Sequence, residues 1–287
     1  MNKSQLESTM LEIKNEIESA IRTKKYKGKT FENGVEAKQA LIRSQSLIMR
    51  LHEVVKLGLK KELTSQKLAA TMFPEVGETG PEQKVYGFIK AKDQDVTILF
   101  NKIKSVPLKL EEGPMAGVVD EIGFEKTNKS IVIGVRSQLS SIEKNFDTLM
   151  ERAFAETLNL RLRTKRITLG DVYMIPLHEY DDTHMKTQKV IFKQKKVNIA
   201  KFIKTFYSIT VNGSDPGEEM IYKYDEFALV LVDFNQPNPK VYYTTDELKT
   251  DGFLPKDFDD KYFNSLSPLG FSKRLIAKHL EKHPDVK

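Results

Sequence analysis

The sequence predicts an α/β or α+β fold, in which helices flank a mixed central β-sheet and a helical region precedes it. The main observation is the order of elements after residue 83, which reads strand, strand, strand, helix, strand, helix, strand. A second is the run EFALVLVDF (226–234), which is apolar on both alternations, as a central strand covered on both sides would be. Hydrophobic residues form 39% and charged residues 30% of the 287-residue chain, which is typical of a globular protein.

Residues 1–70 are predicted to form a helical N-terminal region. Apolar residues recur at helical spacing over 3–22 and again over 35–63. The Pro- and Gly-rich segment 73–83 separates the helical pattern from strand-like runs. We therefore assign residues 71–287 to the α/β domain with a basic C-terminal tail. The N-terminal helices fit ordinary helical packing, a dimerisation arm or a subdomain that embraces DNA.

Within the α/β domain, strands are predicted at 84–90 and 95–100. The segments 115–124 and 129–135 are expected to form a hairpin around EKTNK, and a helix over 141–160 follows. The later predicted elements are the strand 167–177, the polar loop 179–187, a helix from Asn198, the strands 226–234 and 240–244, and a helical tail over 270–283.

Composition excludes several classes of function. The chain has no cysteine, so it has no disulfide, no thiolate metal site and no cysteine nucleophile. No apolar run approaches the length of a membrane span, and the charged N-terminus has no signal-peptide core, so we expect a cytoplasmic protein. The motifs of serine hydrolases, P-loop enzymes and dinucleotide-binding enzymes are missing. A net charge of +6 favours polyanionic partners, although many basic proteins bind no nucleic acid.

A candidate site lies where the apolar run IVIGV (131–135) ends in polar residues. Arg136 and Gln138 share one face of this strand, while Asp120 ends the preceding run VVD and Glu151 lies at the edge of the apolar stripe of the next helix. If the two strands are neighbours, Asp120 and Glu151 could hold Mg²⁺, as phosphodiester hydrolysis requires. Asp120 as a turn former and Glu151 as a solvated or Arg-paired edge residue are the alternatives.

A lysine-rich segment over 189–204 is predicted to face phosphates. Lysines give affinity without reading sequence, whereas Arg, Asn and Gln can read bases. A solvated surface is the alternative interpretation. The residues that we expect to contact DNA are Lys193, Lys195, Lys196, Asn198 and Arg163.

The order strand with Asp, hairpin, second strand with polar residues, then helix resembles the core of the PD-(D/E)xK nucleases, the fold of most type II restriction endonucleases. The resemblance covers about residues 84–245 and includes the segment IVIGVRSQLSSIEKNFDTLMERAFAETLNLRLR. It implies a restriction-endonuclease-like core and Mg²⁺-dependent hydrolysis of double-stranded DNA by a homodimer.

The catalytic motif of this family matches the chain only in part. Its first acidic residue falls on Asp120, but its Glu-x-Lys is missing from the second strand. The resemblance then implies that Gln138 stands in the lysine position and that Glu151, 13 residues later on the helix, is the second carboxylate. Arg136 is expected to contact the scissile phosphate. A DNA-binding subunit without catalysis, in a restriction, defence or repair complex, and a structural protein that assembles through its N-terminal helices are the alternatives.

Overall fold

The computed structural model describes residues 1–211 and 220–287, and a six-stranded mixed sheet runs through its centre. The helices are α1 (Lys3–Thr23), α2 (Gly34–Arg43), α3 (Ser46–Ser65), α4 (Phe124–Asn128), α5 (Phe146–Arg161), α6 (Asp182–Lys186), α7 (Ile199–Ser208), α8 (Thr245–Thr250), α9 (Asp260–Ser265) and α10 (Phe271–Lys282). The strands are β1 (Lys25–Tyr26), β2 (Lys29–Thr30), β3 (Ala70–Phe73), β4 (Gln83–Tyr86), β5 (Ala91–Gln94), β6 (Val96–Phe100), β7 (Leu108–Lys109), β8 (Val119–Asp120), β9 (Ile131–Ser137), β10 (Thr168–Pro176), β11 (His178–Tyr180), β12 (Phe192–Lys196), β13 (Glu226–Asp233) and β14 (Lys240–Tyr242).

The central sheet has the strand order β14-β13-β10-β9-β6-β3. β9, β10 and β13 are parallel, whereas β6 runs antiparallel to β9 and β14 antiparallel to β13. The carboxyl ends of the three parallel strands therefore lie at one edge of the sheet, beside the beginning of β6. The prediction of a mixed sheet flanked by helices is confirmed.

Helices cover both faces of the sheet because successive residues of its strands point to opposite sides. Ile131, Ile133 and Val135 of β9 belong to one apolar core together with residues of α1, α3 and α10. Val132 belongs to a second core on the other face, with residues of α5 and α7. The N-terminal helices therefore share a continuous core with the sheet. No helix in the described part of the chain combines the length and the apolar character that crossing a bilayer requires.

The predicted hairpin of residues 115–124 and 129–135 is wrong. β8 pairs with β7 in a separate two-stranded sheet, and the neighbour of β9 on that side is β6. Residues 124–128 form the short helix α4 instead of a turn. The apolar run misled the prediction because Val118 and Val119 are 39% and 43% exposed, so the run does not enter the core.

Two further differences concern shorter segments. The helical stretch predicted over 35–63 is divided into α2 and α3, because Gln45 adopts a left-handed conformation with φ of 63°. The segment 179–187, predicted as a polar loop, contains most of β11 and all of α6. The edge strand β3 has only four residues and was not predicted.

Candidate functional site

A cavity of about 610 Å³ opens where β9 ends and β6 begins. Its wall is formed by residues of β5, β9 and α5 together with the segment that joins α2 to α3. Six charged side chains line it, and they are Lys90, Lys92, Asp95, Arg136, Arg152 and Glu156. Such a concentration of charge beside an apolar core requires specific partners, because unpaired charges are costly to bury.

Three residues form a row across adjacent strands beside this cavity, and of the three only Asp95 lines it. Gly134 of β9 pairs with Asp171 of β10, and the pairing of Val96 with Ile133 sets Asp95 opposite Gly134 on the other side. Side chains at laterally paired positions project from the same face of a sheet. A Cβ added to Gly134 would stand 2.7 Å from Asp171 Oδ2. The carboxylate of Asp171 therefore uses the space that the glycine leaves open.

Asp171 is the most deeply buried acid of the row. Its side chain is 1% exposed, and neither carboxylate oxygen accepts a hydrogen bond from the described residues. The phenol of Tyr224 donates to the carbonyl of Ala153 at 3.2 Å and lies close enough to Asp171 to lower its pKa. Burial raises the pKa of Asp171 to about 6, although the positive charge of Arg136 opposes that shift. A buried carboxyl group with a raised pKa beside a cation is typical of functional sites.

Arg136 links two of the carboxylates. It lies two residues after Gly134 on the same face of β9, and its Nη2 is 3.3 Å from Asp171 Oδ2. The same nitrogen donates to Glu156 of α5, which also accepts from Lys92 Nζ at 2.7 Å. The cluster thus combines three carboxylates with two cations. Asp95 directly precedes β6, Arg136 belongs to β9 and Asp171 to β10, whereas Lys92 comes from β5 and Glu156 from α5.

Asp95 fixes the beginning of β6 against β9. Its Oδ2 accepts a hydrogen bond of 2.8 Å from the backbone N–H of Val135. His52 of α3 is buried behind this acid, and burial lowers the pKa of His52 while the charge of Asp95 opposes that effect. Asp95 therefore has a defined position and remains partly exposed toward the cavity.

The row can supply ligands for a magnesium ion. Among residues 1–211 and 220–287, no group of three or more His, Asp or Glu side chains is arranged around a common metal position. Mg²⁺ does not require such a group, because it usually binds one or two protein carboxylates together with water and substrate phosphates. Asp171, which is ion-paired with Arg136 at 3.3 Å, and Asp95 are the two carboxylates of the row that such an ion would use.

Two of the four residues predicted as catalytic line this cavity. Arg136 and Gln138 do so, and Gln138 Nε2 donates to the carbonyl of Ser140. Asp120 and Glu151 do not. Asp120 is buried beside β7, accepts from the N–H of Ile122 at 3.0 Å and forms an ion pair of 2.5 Å with Arg163.

Glu151 lies on an exposed side of α5. The face of α5 that lines the cavity carries Leu149, Arg152, Glu156 and Asn159, at spacings of three and four residues. Glu151 falls outside this pattern. Glu156, one turn and a half farther along the helix, is the acid that meets Arg136.

The residues predicted to contact DNA lie in two places. Lys193, Lys195 and Lys196 belong to β12, and Asn198 follows it. Lys193 Nζ is 3.2 Å from Glu179, whereas Lys195 and the backbone N–H of Asn198 contact Glu143. The exposed Lys196 lies over the ring of Phe253, 4.4 Å from its centroid. Arg163 is separate from this group, in the buried pair with Asp120.

The two acids of the row were not among the predicted site residues. Asp171 stands inside the otherwise apolar run ITLGDVYMIPL, and a carboxylate within a buried strand is a recognisable signal because its burial is costly. Asp95 directly precedes the apolar run VTILF. Its proximity to Arg136 depends on the antiparallel pairing of β6 with β9, which no local pattern indicates.

No family model, curated protein or solved structure matches this chain. The function is therefore inferred from the residues and from the geometry of the cavity.

Proposed function

We propose that the protein is a Mg²⁺-dependent endonuclease that hydrolyses double-stranded DNA, of the restriction type, with its site at Asp95, Gly134 and Asp171. The single observation that supports this proposal most directly is the row of two carboxylates on either side of a glycine, beneath the guanidinium of Arg136. Carboxylates for a hard cation and a cation for a phosphate are what phosphodiester hydrolysis needs.

The order of elements around the cavity is also consistent with the PD-(D/E)xK resemblance. β6 and β9 are neighbours in the sheet, with β7, β8 and α4 between them in the chain, and α5 follows β9. An acid directly precedes β6, polar residues end β9, and α5 carries a carboxylate. In this arrangement the family's first acid corresponds to Asp95 rather than Asp120. Arg136 takes the position of its lysine, two residues after Gly134. A restriction-endonuclease-like core is thus part of the proposal.

We further propose that Asp171 replaces the acid that is missing from the second strand. Gly134 stands where the Glu of Glu-x-Lys is expected, and the carboxylate of Asp171 reaches into that space from β10. β9 thus supplies the space for the second carboxylate, and β10 supplies the carboxylate itself. This substitution explains how a chain without the usual motif could retain two acids at the site.

Each side chain then has a defined role. Asp95 and Asp171 would hold Mg²⁺, which would supply positive charge beside the scissile phosphate and lower the pKa of a bound water. Arg136 binds a phosphate oxygen with the donors that face the cavity, and its ion pairs with Asp171 and Glu156 orient it. Lys92 places a second cation in the cavity, and its ion pair with Glu156 fixes the position of its ammonium group.

DNA digestion tests this proposal. Plasmid and mixed-sequence linear DNA are incubated with the protein and either Mg²⁺ or a chelator, and the products are separated on a gel. We expect Mg²⁺-dependent cutting that falls by on the order of 100-fold or more in Asp95→Asn and Asp171→Asn, since even partners outside the ligand shell of a metal change activity by up to that factor. Glu151→Gln, an exposed acid of α5, is the matched control and should cut normally. Full activity of Asp171→Asn, or no cutting by the unaltered protein, contradicts the proposal.

The non-catalytic DNA-binding subunit is the second candidate, and the pairing of Arg136 favours it. This guanidinium contacts both Asp171 and Glu156, so it neutralises acids that a metal would otherwise use. This candidate predicts salt-dependent binding of DNA without cutting at any Mg²⁺ concentration. The homodimer that the family resemblance implies remains a prediction for either candidate, and the elution volume in size-exclusion chromatography tests it.

A further inference from the structure

The loop 235–238, with the sequence Asn-Gln-Pro-Asn, follows β13 at the sheet edge that also bears the candidate site. Because β9, β10 and β13 are parallel, Gln138 at the end of β9 and this loop leave the sheet in the same direction. A molecule long enough to lie across this edge can therefore reach both places.

The loop is held in one conformation by residues from distant parts of the chain. Lys14 of α1, which is 8% exposed, donates to the carbonyls of Gln236 and Pro237. Asp233 accepts from the N–H of Asn235 at 2.9 Å and from the side-chain amide of Gln236 at 3.3 Å. Such preorganisation lowers the entropy that binding would otherwise cost.

The outward side chains of the loop are amides that remain available. Asn235 and Asn238 are exposed, and neither side-chain amide makes a hydrogen bond with any residue that the structure describes. Two cavities of about 640 and 790 Å³ flank the loop, and both are lined by His178, Asn235 and Pro237.

The surroundings of the loop are rich in cations and amides. Arg22 of α1 lines the first cavity together with Gln194, whose side chain is exposed. Lys196 lines the second cavity, where its ammonium group donates to the carbonyls of Asp251 and Gly252 and lies over the face of Phe253. Acids also line the two cavities: Glu18, which pairs with Arg22 at 2.8 Å, Asp233 and Asp251. Lys14, Arg22, Lys193, Lys196 and Lys240 outnumber them, so this polar edge has a net positive charge around its exposed amides. That combination matches the chemistry of a nucleic-acid groove, in which phosphates surround the base edges.

We propose that loop 235–238 enters the major groove of duplex DNA and that Asn235 and Asn238 read base edges there. An Asn side chain donates and accepts at once, which matches the N6 and N7 atoms of adenine. Lys196 and Arg22 hold the flanking phosphates and carry no sequence information. The inference rests on the proposed action on DNA and adds the residues that determine its sequence specificity.

The experiment measures sequence preference separately from cutting. The full chain is incubated without divalent metal with a pool of duplexes that contain a randomised segment, and the bound duplexes are sequenced. The preferred duplex and a scrambled duplex are then titrated with the unaltered protein, with Asn235→Ala and with Asn238→Ala. Gln66→Ala is the matched control, because Gln66 is an exposed amide in the connection to β3 at the opposite edge of the sheet.

Each outcome has a defined meaning. We expect at least one of the Asn variants to lose roughly tenfold or more of the preference at an A·T pair, with unchanged affinity for the scrambled duplex and no effect of Gln66→Ala. Unchanged preference in both variants, or an equal loss of affinity for all duplexes, overturns base reading by this loop while the proposed nuclease stands. Failure of the unaltered protein to bind any duplex overturns the proposed action on DNA itself.

Discussion

Asp171 Oδ2 lies 2.7 Å from the point where a Cβ would stand on Gly134. A contact that close is not tolerated between real atoms, so a side chain at position 134 would displace this carboxylate. The two neighbouring strands therefore offer one place for an acid, and β10 fills it. Gly134 of β9 and the buried acid of β10 are therefore parts of one arrangement.

An exchange of the acid between the two strands tests this arrangement. Asp171→Ala should abolish cutting, and Gly134→Glu added to it should restore part of the activity, because the second change returns a carboxylate to the same space. The initial rate of plasmid nicking is the measurement. Asp171→Ala with Gly134→Ala is the control, and equal recovery by the Ala and Glu variants would show that charge at this place is irrelevant.

Asp120 is expected to matter for stability and not for cutting. Asp120→Ala leaves Arg163 buried without its partner, which should lower the free energy of unfolding by roughly 3 to 5 kcal/mol. Urea denaturation measures this change. Glu125→Ala, which removes an exposed i,i+4 pair with Lys129, should cost only about 0.5 kcal/mol. If Asp120→Ala folds normally but does not cut DNA, Asp120 is a catalytic residue after all.

Stability should fall with acidity because of His279. Its ring stacks on Phe100 at 4.5 Å, its Nδ1 is 2.9 Å from Thr168 Oγ1, and burial lowers the pKa of His279 to about 3. Between pH 3 and 6.5 the unfolded chain binds this proton and the folded chain does not. Stability therefore rises with pH across that window and is lost as pH falls, by about 2 kcal/mol from this residue at pH 5.

Urea denaturation at pH 5 and pH 7.5 measures this dependence. His279→Gln should reduce the difference between the two pH values. His184→Gln, at a half-buried histidine that pairs with Asp181, is the control. An unaltered pH dependence in His279→Gln would contradict the assignment.

Lys14 is expected to hold loop 235–238 in place. Lys14→Met removes two hydrogen bonds to the carbonyls of Gln236 and Pro237, with an expected loss of about 1 to 3 kcal/mol of stability. Hydrogen exchange at the Asn235 amide should become faster, and the sequence preference for DNA should weaken. Lys3→Met, at an exposed position of the same helix, is the control. Slow exchange at Asn235 in Lys14→Met would show that the loop does not depend on this anchor.

The sheet could be predicted where its strands are apolar throughout. The runs 131–135 and 226–234 became β9 and β13, because strands covered on both faces need apolar residues at every position. The run that ends at Asp120 has the same appearance but lies on the surface, with Val119 43% exposed. Burial of a short apolar run depends on what packs against it, and local composition does not contain that information.

The cavity could be predicted only in part for a related reason. Arg136 and Gln138 were identifiable because polar residues directly follow a buried strand. Asp95 precedes Val135 by 40 residues, and the two meet only through strand pairing. The carboxylate of Asp171 was visible within its apolar run, although the glycine that makes room for it belongs to another strand.

The anchor between Lys14 and Gln236 spans 222 positions of the chain. During translation the first helix leaves the ribosome long before β13 and the loop behind it are made. Loop 235–238, which we propose to contact duplex DNA, cannot be anchored before residue 236 is synthesised. An incomplete chain would therefore lack the proposed sequence preference. In a cell whose own chromosome is a potential target, that delay would keep incomplete chains from recognising it.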